Sequence, residues 1–399
     1  MKKKLSMLLA GAILATTLAA CGGNSTGGTN GGSAADAGAD TGTAAAGAAF
    51  KLGGHGPLTG GAAIYGNAVK NGASIAVEEI NAAGGAVQFD LKFEDDEHDP
   101  EKAANAYNAL KDWGMQLSLS GVTSKPAEAT SADHYSDRIF ALTPSASAVA
   151  VTEGKDNVFQ MCFADPNQGT ASAQYIADQK LGTKIAIIYK NDDVYSTGIY
   201  EKFTAEAAAK GLEIVSTTTF TSSSQTDFSV QLNEAKNAGA DLLFLPIYYD
   251  AASLILTQAN AMGYAPKFFG VDGMDGILTV EGFDTALAEG VMLLTPFNAD
   301  AEDELTRSFV TKYQEKYGEV PNQFAADAYD CVYAYKQALE AAGCTPDMTA
   351  EALCEAMTAQ FTSMTFNGLT GENMTWDATG AVAKSPKGMI IKNGAYVGM

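Results

Sequence analysis

"AFKLGGHGPLTGGAAIYGNAVKNGASIAVEEINAAGGAVQFDLKFEDDE", residues 49–97, changes its hydrophobic period twice. "AFKLGG" reads as a short strand. From Ile64 the apolar positions Ile64, Val69, Ile75 and Ile80 fall on one helical stripe, which ends at Gly84-Gly85. "VQFDLKFEDDE" then alternates as a strand. The same alternation runs on: "DPEKAANAYNALKDWG" is a helix with Pro100 in its first turn and Gly114 after its end, followed by "MQLSLSGV", the helical "KPAEATSADHYSD" and the strand "RIFALTP". Repeated βα steps of this kind imply a parallel sheet covered on both faces.

The rhythm restarts after "FADPNQG". Helices "GTASAQYIADQKLG", "GIYEKFTAEAAAKG", "DFSVQLNEAKNAG" and "DAASLILTQANAMG" alternate with strands "KIAIIYK", "EIVSTTTF", "DLLFLPIYY", "KFFGVDG" and "GVMLLTPF". This is a second α/β lobe of similar size. Residues 301–361 are mostly helical, and "MTWDATGAVAKSPKGMIIKNGAYVGM" reads as hairpin strands with turns at Lys387-Gly388 and Asn393-Gly394. Such an order of elements predicts a chain that passes between its lobes more than once.

Upstream, Lys2, Lys3 and Lys4 precede an apolar run from Leu5 to Leu18. The run is short for a membrane span and suits a secretory signal over residues 1–20. Leu18-Ala19-Ala20-Cys21 resembles the lipobox of bacterial lipoproteins, which implies a lipidated Cys21 and anchoring to the cell membrane, where two or more acyl chains give stable attachment. Residues 22–49 are almost entirely Gly, Ala, Ser, Thr, Asn and Asp, with nothing to bury, so a disordered tether is expected. A Gly-rich coil of this length spans about 30 Å. The Gly-x-Ser-x-Gly match at Gly23 to Gly27 lies in this tether, without the strand-to-helix turn that a nucleophile elbow needs.

The chain carries 25 basic and 47 acidic residues. So acidic a surface repels nucleic acid. Cys162, Cys331, Cys344 and Cys354 are too few and scattered to staple a protein of this size. Cys344 and Cys354, bracketing "TPDMTAEAL", are the expected pair if a bridge exists; buried free thiols are the competing account, above all for Cys331.

Enzyme readings lack their parts. His55, His98 and His134 are the three histidines, and no His-x-x-x-His pair, Cys-x-x-Cys or complete phosphate loop occurs. No metal and no cofactor is therefore expected. "GHGPLTGG" has Thr59 where a dinucleotide loop needs its third glycine, and reads as a tight turn into a helix. "DDEHDPE" lacks the glycine of a calcium loop and reads as a solvated acidic loop.

Open α/β sheets bind ligands at the carboxyl ends of their strands. There the chain places Thr123 and Ser124 after "MQLSLSGV", Ser145 and Ser147 after "RIFALTP", Tyr248 and Tyr249 after "DLLFLPI", and Asp272 after "KFFGV". Hydroxyls and free N–H groups at helix starts suit a carboxylate, and Asp272 suits an ammonium group. A zwitterion needs both. Two readings stay open on these spacings: a ligand site, or serines that cap helices and an aspartate that starts a turn.

"GPLTGGAAIYGNAVKNGASIAVEEINAAGG", "DDEHDPEKAANAYNAL", "TPSASAVAVT", "FQMCFADPNQG", "DDVYSTG" and "PNQFAADAYDCVYAYKQALEAAG" together resemble the branched-chain amino-acid substrate-binding proteins of ABC transporters. The resemblance runs in order from Phe50 to the C-terminus. It implies the type I periplasmic-binding-protein fold, two Rossmann-like lobes with parallel-sheet cores joined by a three-segment hinge, divided as 50–165 plus 298–371 and 166–297 plus 372–399. It also implies a monomer that traps an amino acid between its lobes and delivers it to a membrane permease; a sensor of the same fold that signals to a membrane receptor is the alternative. Carried over by position, the ligand-binding residues are Tyr65, Val122, Thr123, Ser124, Ser145, Ala146, Ser147, Tyr195, Tyr248 and Asp272, with the register of Tyr248 against Tyr249 open. Met274 stands where many relatives have Trp, so a reshaped side-chain pocket is expected.

Overall fold

Capping explains where the first helices begin and end. In the structure, a computed structural model that describes residues 48–399, Asp99 accepts hydrogen bonds from the N–H groups of Glu101 and Lys102 at one helix start. Gly114, at φ 90°, closes the same helix. The signal segment, Cys21 and the tether up to residue 47 lie outside the described residues.

The first half of the chain forms β1 (Phe50–Gly56), α1 (Ala63–Ala83), β2 (Phe89–Asp95), α2 (Pro100–Trp113), β3 (Leu117–Gly121), α3 (Ser124–Asp137), β4 (Phe140–Thr143), α4 (Val149–Thr152) and β5 (Val158–Gln160). Next come α5 (Asp165–Asp178), β6 (Lys184–Lys190), α6 (Val194–Lys210), β7 (Glu213–Phe220), α7 (Ser229–Asn237), β8 (Leu242–Leu245), α8 (Tyr249–Ala261), β9 (Lys267–Gly270) and β10 (Met292–Thr295). The remainder is α9 (Glu304–Tyr317), α10 (Gln323–Ala342), α11 (Ala350–Phe361), β11 (Lys387–Lys392) and β12 (Ala395–Gly398).

Two sheets result. The first is wholly parallel in the order β2-β1-β3-β4-β5, and the second runs β12-β11-β10-β9-β8-β6-β7, with β11 antiparallel to both neighbours. The fold is α/β, two lobes with parallel-sheet cores, as the strand and helix periods require. Each sheet reverses its winding once, at β1/β3 and at β6/β8, and open sheets bind ligands outside the strand ends at such points. Both reversals face the same interlobe space, because the segments after β1, β3, β6 and β8 meet there.

The chain passes between lobes three times. The passages follow β5, β10 and residue 384, and α9–α11 return to pack on the first lobe. The sequence placed the last passage at 371–372, but residues 376–384 still sit on the first lobe. Trp376 Nε1 donates to Gln160 O at 2.8 Å and Gln160 N donates to Gly380 O at 2.9 Å. Lys384 Nζ then reaches Asp327 at 2.7 Å and Thr370 Oγ1 at 2.7 Å, and Asp330 accepts from the Leu369 and Thr370 N–H groups. This buried ionic knot ties the last passage to α10.

Three local expectations are corrected. Asn393-Gly394 does form a left-handed turn, with φ 52° and 74°, but Lys387-Gly388 lies inside β11, paired with Thr295 and Leu294. Asp96 in the acidic loop is fully buried and bonds His55 Nδ1 at 2.8 Å, while Asp95 accepts from Leu58 N and Thr59 Oγ1. The loop is thus a staple between the β1 and β2 ends. Cys344 and Cys354 are free thiols, the former half-buried after α10 and the latter buried on α11 beside Arg138 and Asn157, so no bridge links them.

Helices α1 and α10 cross at Gly72, where a Cβ would lie 2.0 Å from Ala325 O. On an exposed helix Gly→Ala gains about 1 kcal/mol. Here Gly72→Ala is expected to destabilise instead, by about 1–3 kcal/mol, because the helices must separate. Chemical denaturation of the variant reads the sign directly.

Candidate functional site

Between the lobes, residues from the strand ends enclose a small void. Its wall contains Tyr65, Val122, Thr123, Ser124, Ser145, Tyr195, Tyr248 and Asp272, all named from the sequence, together with Gly273 and Phe324, which were not. Tyr248, not Tyr249, lines it. Tyr249 points back to α1, where its hydroxyl accepts from Ile64 N at 3.2 Å.

The first lobe contributes hydroxyl and backbone groups. Thr123 precedes α3 without capping it; its Oγ1 instead bonds His98 Nδ1 at 2.8 Å. Ser124 Oγ accepts from Ala148 N at 3.2 Å, and Ser145 Oγ donates to Val122 O. Helix capping therefore does not account for these side chains. Two expected residues are set back from the void. Ala146 has its N–H bonded to Thr143 Oγ1 at 2.9 Å and its carbonyl to Gln160 Nε2 at 2.8 Å, so its backbone groups are already used. Ser147 lies deeper, its buried Oγ without a hydrogen-bond partner and its carbonyl accepting from Asp165 N at 3.0 Å.

The second lobe contributes a carboxylate and an aromatic stack. Asp272 opens a 3₁₀ turn, Asp272–Met274, directly after β9, which carries its buried side chain to the void. Tyr195, delivered by the Asp193-capped start of α6, donates its hydroxyl to Asp272 Oδ1 at 2.6 Å and accepts from Gly273 N at 3.0 Å. Its ring stacks on Tyr248 with centroids 4.7 Å apart. Burial pushes the Asp272 carboxyl up to about 7, against the opposing pull of hydrogen bonds from Tyr195, Gln168 and Gly273. All of these donors are neutral. Asp272 has a counter-charge from none of them.

Direct bonds join the lobes around the void. Tyr65 OH donates to Gly273 O at 2.5 Å and accepts from Tyr249 N at 3.2 Å, and its ring meets Phe324 edge-on at 4.7 Å. Gln323, at the start of α10, donates from Nε2 to Asp272 O at 3.0 Å and from its backbone N to Asp275 Oδ2 at 2.9 Å. The enclosed volume is about 10 Å³, room for a single water, so an amino-acid-sized ligand enters only when the lobes part. Met274 is fully buried beneath the turn and does not line the void. The expected reshaping of the side-chain pocket at Met274 therefore has no contact with the void behind it.

Phe324 and Gly273 escaped the sequence reading for different reasons. Phe324 carries one faint mark, its place two residues after the Asn322 cap of α10. Gly273 carries none beyond its neighbour Asp272. Among the described residues no cluster of His, Cys, Asp and Glu is arranged to hold a metal ion, and no helix is long and apolar enough to cross a membrane.

Comparison with known proteins agrees with this geometry. The family model described as periplasmic binding protein matches residues 49–389. A leucine-, isoleucine-, valine-, threonine- and alanine-binding protein of Pseudomonas aeruginosa is 26% identical over 302 residues, covering 75% of this chain and 80% of its own. A Leu/Ile/Val-binding protein homologue of Brucella melitensis is 28% identical, covering 74% and 80%. Among solved structures, the leucine-binding protein LivK of Thermotoga maritima superposes with a TM-score of 0.78 at 27% identity, covering 88% of this chain and 97% of its own. The branched-chain amino-acid transporter substrate-binding protein LivJ of Streptococcus pneumoniae, solved with isoleucine, gives 0.79 at 27% identity, covering 88% and 98%. With its two parallel-sheet lobes closed over a void at their strand ends, this chain belongs to the periplasmic binding protein family.

Proposed function

We propose that the protein captures an amino acid with a small apolar side chain between its lobes and presents the closed form to an ABC permease. The observation that carries this reading is Asp272, a buried carboxylate held only by neutral donors, facing hydroxyls of the other lobe. An ammonium group supplies its missing counter-charge. The amino acid's carboxylate takes the groups at Ser124 and the start of α3, where the helix dipole favours negative charge. Tyr65, Tyr195, Tyr248 and Phe324 then surround its side chain. A ligand bonded to both lobes favours the closed arrangement by its differential affinity, which is the signal a permease reads. The Leu18-Ala19-Ala20-Cys21 sequence supports an extracytoplasmic protein anchored through lipidated Cys21; a monomer is part of the same proposal. Transport by capture also fits the bonding of Ser124 and Ser145, whose hydroxyls meet backbone groups rather than a base that would activate them; it requires no cofactor.

Calorimetry against a panel of amino acids, on protein unfolded and refolded to remove carried-over ligand, tests the proposal. Leucine, isoleucine or valine is expected to bind at micromolar affinity or tighter, and the matching acids without an amino group are expected not to bind. Failure of every amino acid on folded protein overturns the reading.

Affinity is expected to depend on pH in one direction. The Asp272 pKa is raised to about 7 in the closed protein, and an ammonium ligand needs the ionised form. Below pH 7 binding must displace a proton, so Kd rises by about tenfold per pH unit, and it levels off above about pH 8. In Asp272→Asn that slope disappears, whatever affinity is left.

A further inference from the structure

The Asp272–Met274 turn separates two interlobe cavities. Beyond it, on the Asp275 side, lies a second and much larger one of about 480 Å³, within the usual range for small-molecule sites. Ile64 of α1 and Tyr313 of α9 line it from the first lobe, and Asp275 and the β11–β12 hairpin from the second. Its walls are mainly apolar, with Phe297, Tyr313 and Tyr396 supplying aromatic surface. Its charged side chains are all acidic: Asp275, which is buried, and Asp300 and Glu319, which are exposed. No Lys, Arg or His lines it.

We propose that this cavity binds a small organic cation, an amine on an apolar or aromatic body, with Asp275 as its counter-charge. Asp275 is 5% exposed, accepts from Gln323 N at 2.9 Å and lies beside the Tyr396 hydroxyl, so its contacts are neutral donors. Burial raises its pKa to about 6, as expected of a carboxylate with no cation beside it. An ammonium group relieves that cost, and the tyrosine and phenylalanine rings favour a cation and its apolar body alike. Asp300 and Glu319 attract the same charge from solvent.

Because both lobes build the walls, an occupant is linked to lobe closure. Gln323 joins the two cavities, its Nε2 on Asp272 O and its N–H on Asp275. Cation binding is therefore expected to tighten amino-acid binding, and the reverse, by the same factor. The cation site itself does not depend on the amino-acid reading; only this coupling rests on it.

The test uses three probes that share a phenyl ring on a four-carbon chain and differ in their head group, cationic, neutral and anionic: 4-phenylbutylamine, 4-phenylbutanol and 4-phenylbutyrate, followed by calorimetry and saturation-transfer NMR on the whole protein. The amine is expected to bind about tenfold or more tightly than the alcohol, and the carboxylate not to bind. Asp275→Asn removes the preference for the amine. Ala395→Trp, which fills the cavity from the exposed edge strand β12, abolishes binding of both, whereas Asp272→Ala leaves the amine bound. Equal binding of the three probes, no binding of the amine, insensitivity to both Asp275→Asn and Ala395→Trp, or displacement of the amine by Asp272→Ala overturns the proposal. Failure of every amino acid to bind the wild-type protein, with the amine bound, would sink the coupling and the amino-acid reading, and leave the cation site standing.

Discussion

Asp272→Ala is expected to weaken leucine, isoleucine or valine binding by about 100-fold or more, the largest functional loss from any single side chain in the void. Removing one partner of a buried, hydrogen-bonded charge pair costs roughly 3–5 kcal/mol, and each ~1.4 kcal/mol is a factor of ten. The ammonium would remain buried opposite Ser124 and Ser145, which offer no negative charge. The same substitution is expected to stabilise the ligand-free protein at pH 8. Asp272 has a folded-state pKa near 7 against an ordinary value of 3.8, so its destabilising effect grows as pH rises from about 4 to 7 and is complete above that window. Melting temperatures of wild type and Asp272→Ala should therefore diverge across that window, with the variant higher at pH 8 and the two converging near pH 4. Retained affinity in the variant would dismiss Asp272 as the ammonium ligand, whatever happened to stability.

Lys384→Met is expected to produce the largest loss of stability, about 3–5 kcal/mol at pH 8. Lys384 is buried and is the cation opposite two buried carboxylates, Asp327 at 2.7 Å and Asp330, whose pKa burial raises against the opposing pull of the lysine's charge. Burial already holds Asp327 up at about 6 despite the lysine. Without Lys384, ionised Asp327 and Asp330 face each other in the core. Both would then titrate higher when folded, so the deficit should shrink as pH falls from 8 toward 6 and the variant takes up protons that the wild type does not. Urea denaturation at pH 8 and pH 5 separates this account from simple loss of packing, which would cost the same at both. Adding Asp327→Asn to Lys384→Met should recover part of the loss at pH 8.

These two residues show how differently parts of the protein could be read. Asp272 was visible because it follows an apolar strand, a place where open α/β sheets present side chains to ligands. Lys384 was invisible. It sits in a stretch read as hairpin, and its partners on α10 are 57 and 54 positions away, contacts that no local pattern announces.

What the sequence determined by itself is the class of architecture and the chemistry at the strand ends. A strand buries alternate residues and a helix every third or fourth, so a chain that switches period repeatedly, with Asp99, Asn322, Gly84 and Gly114 at its boundaries, specifies βα units before any long-range contact forms. Only the tertiary structure decided which of those groups meet. It chose Tyr248 over Tyr249, occupied the backbone of Ala146, set Ser147 back, brought in Phe324 from α10, and held the last passage on the first lobe until Lys384. It also turned Asp272 and Asp275, three residues apart, toward different cavities. The physical reason is that local periodicity says which face of an element is buried, whereas a site between lobes depends on how two independently folded sheets are set against each other.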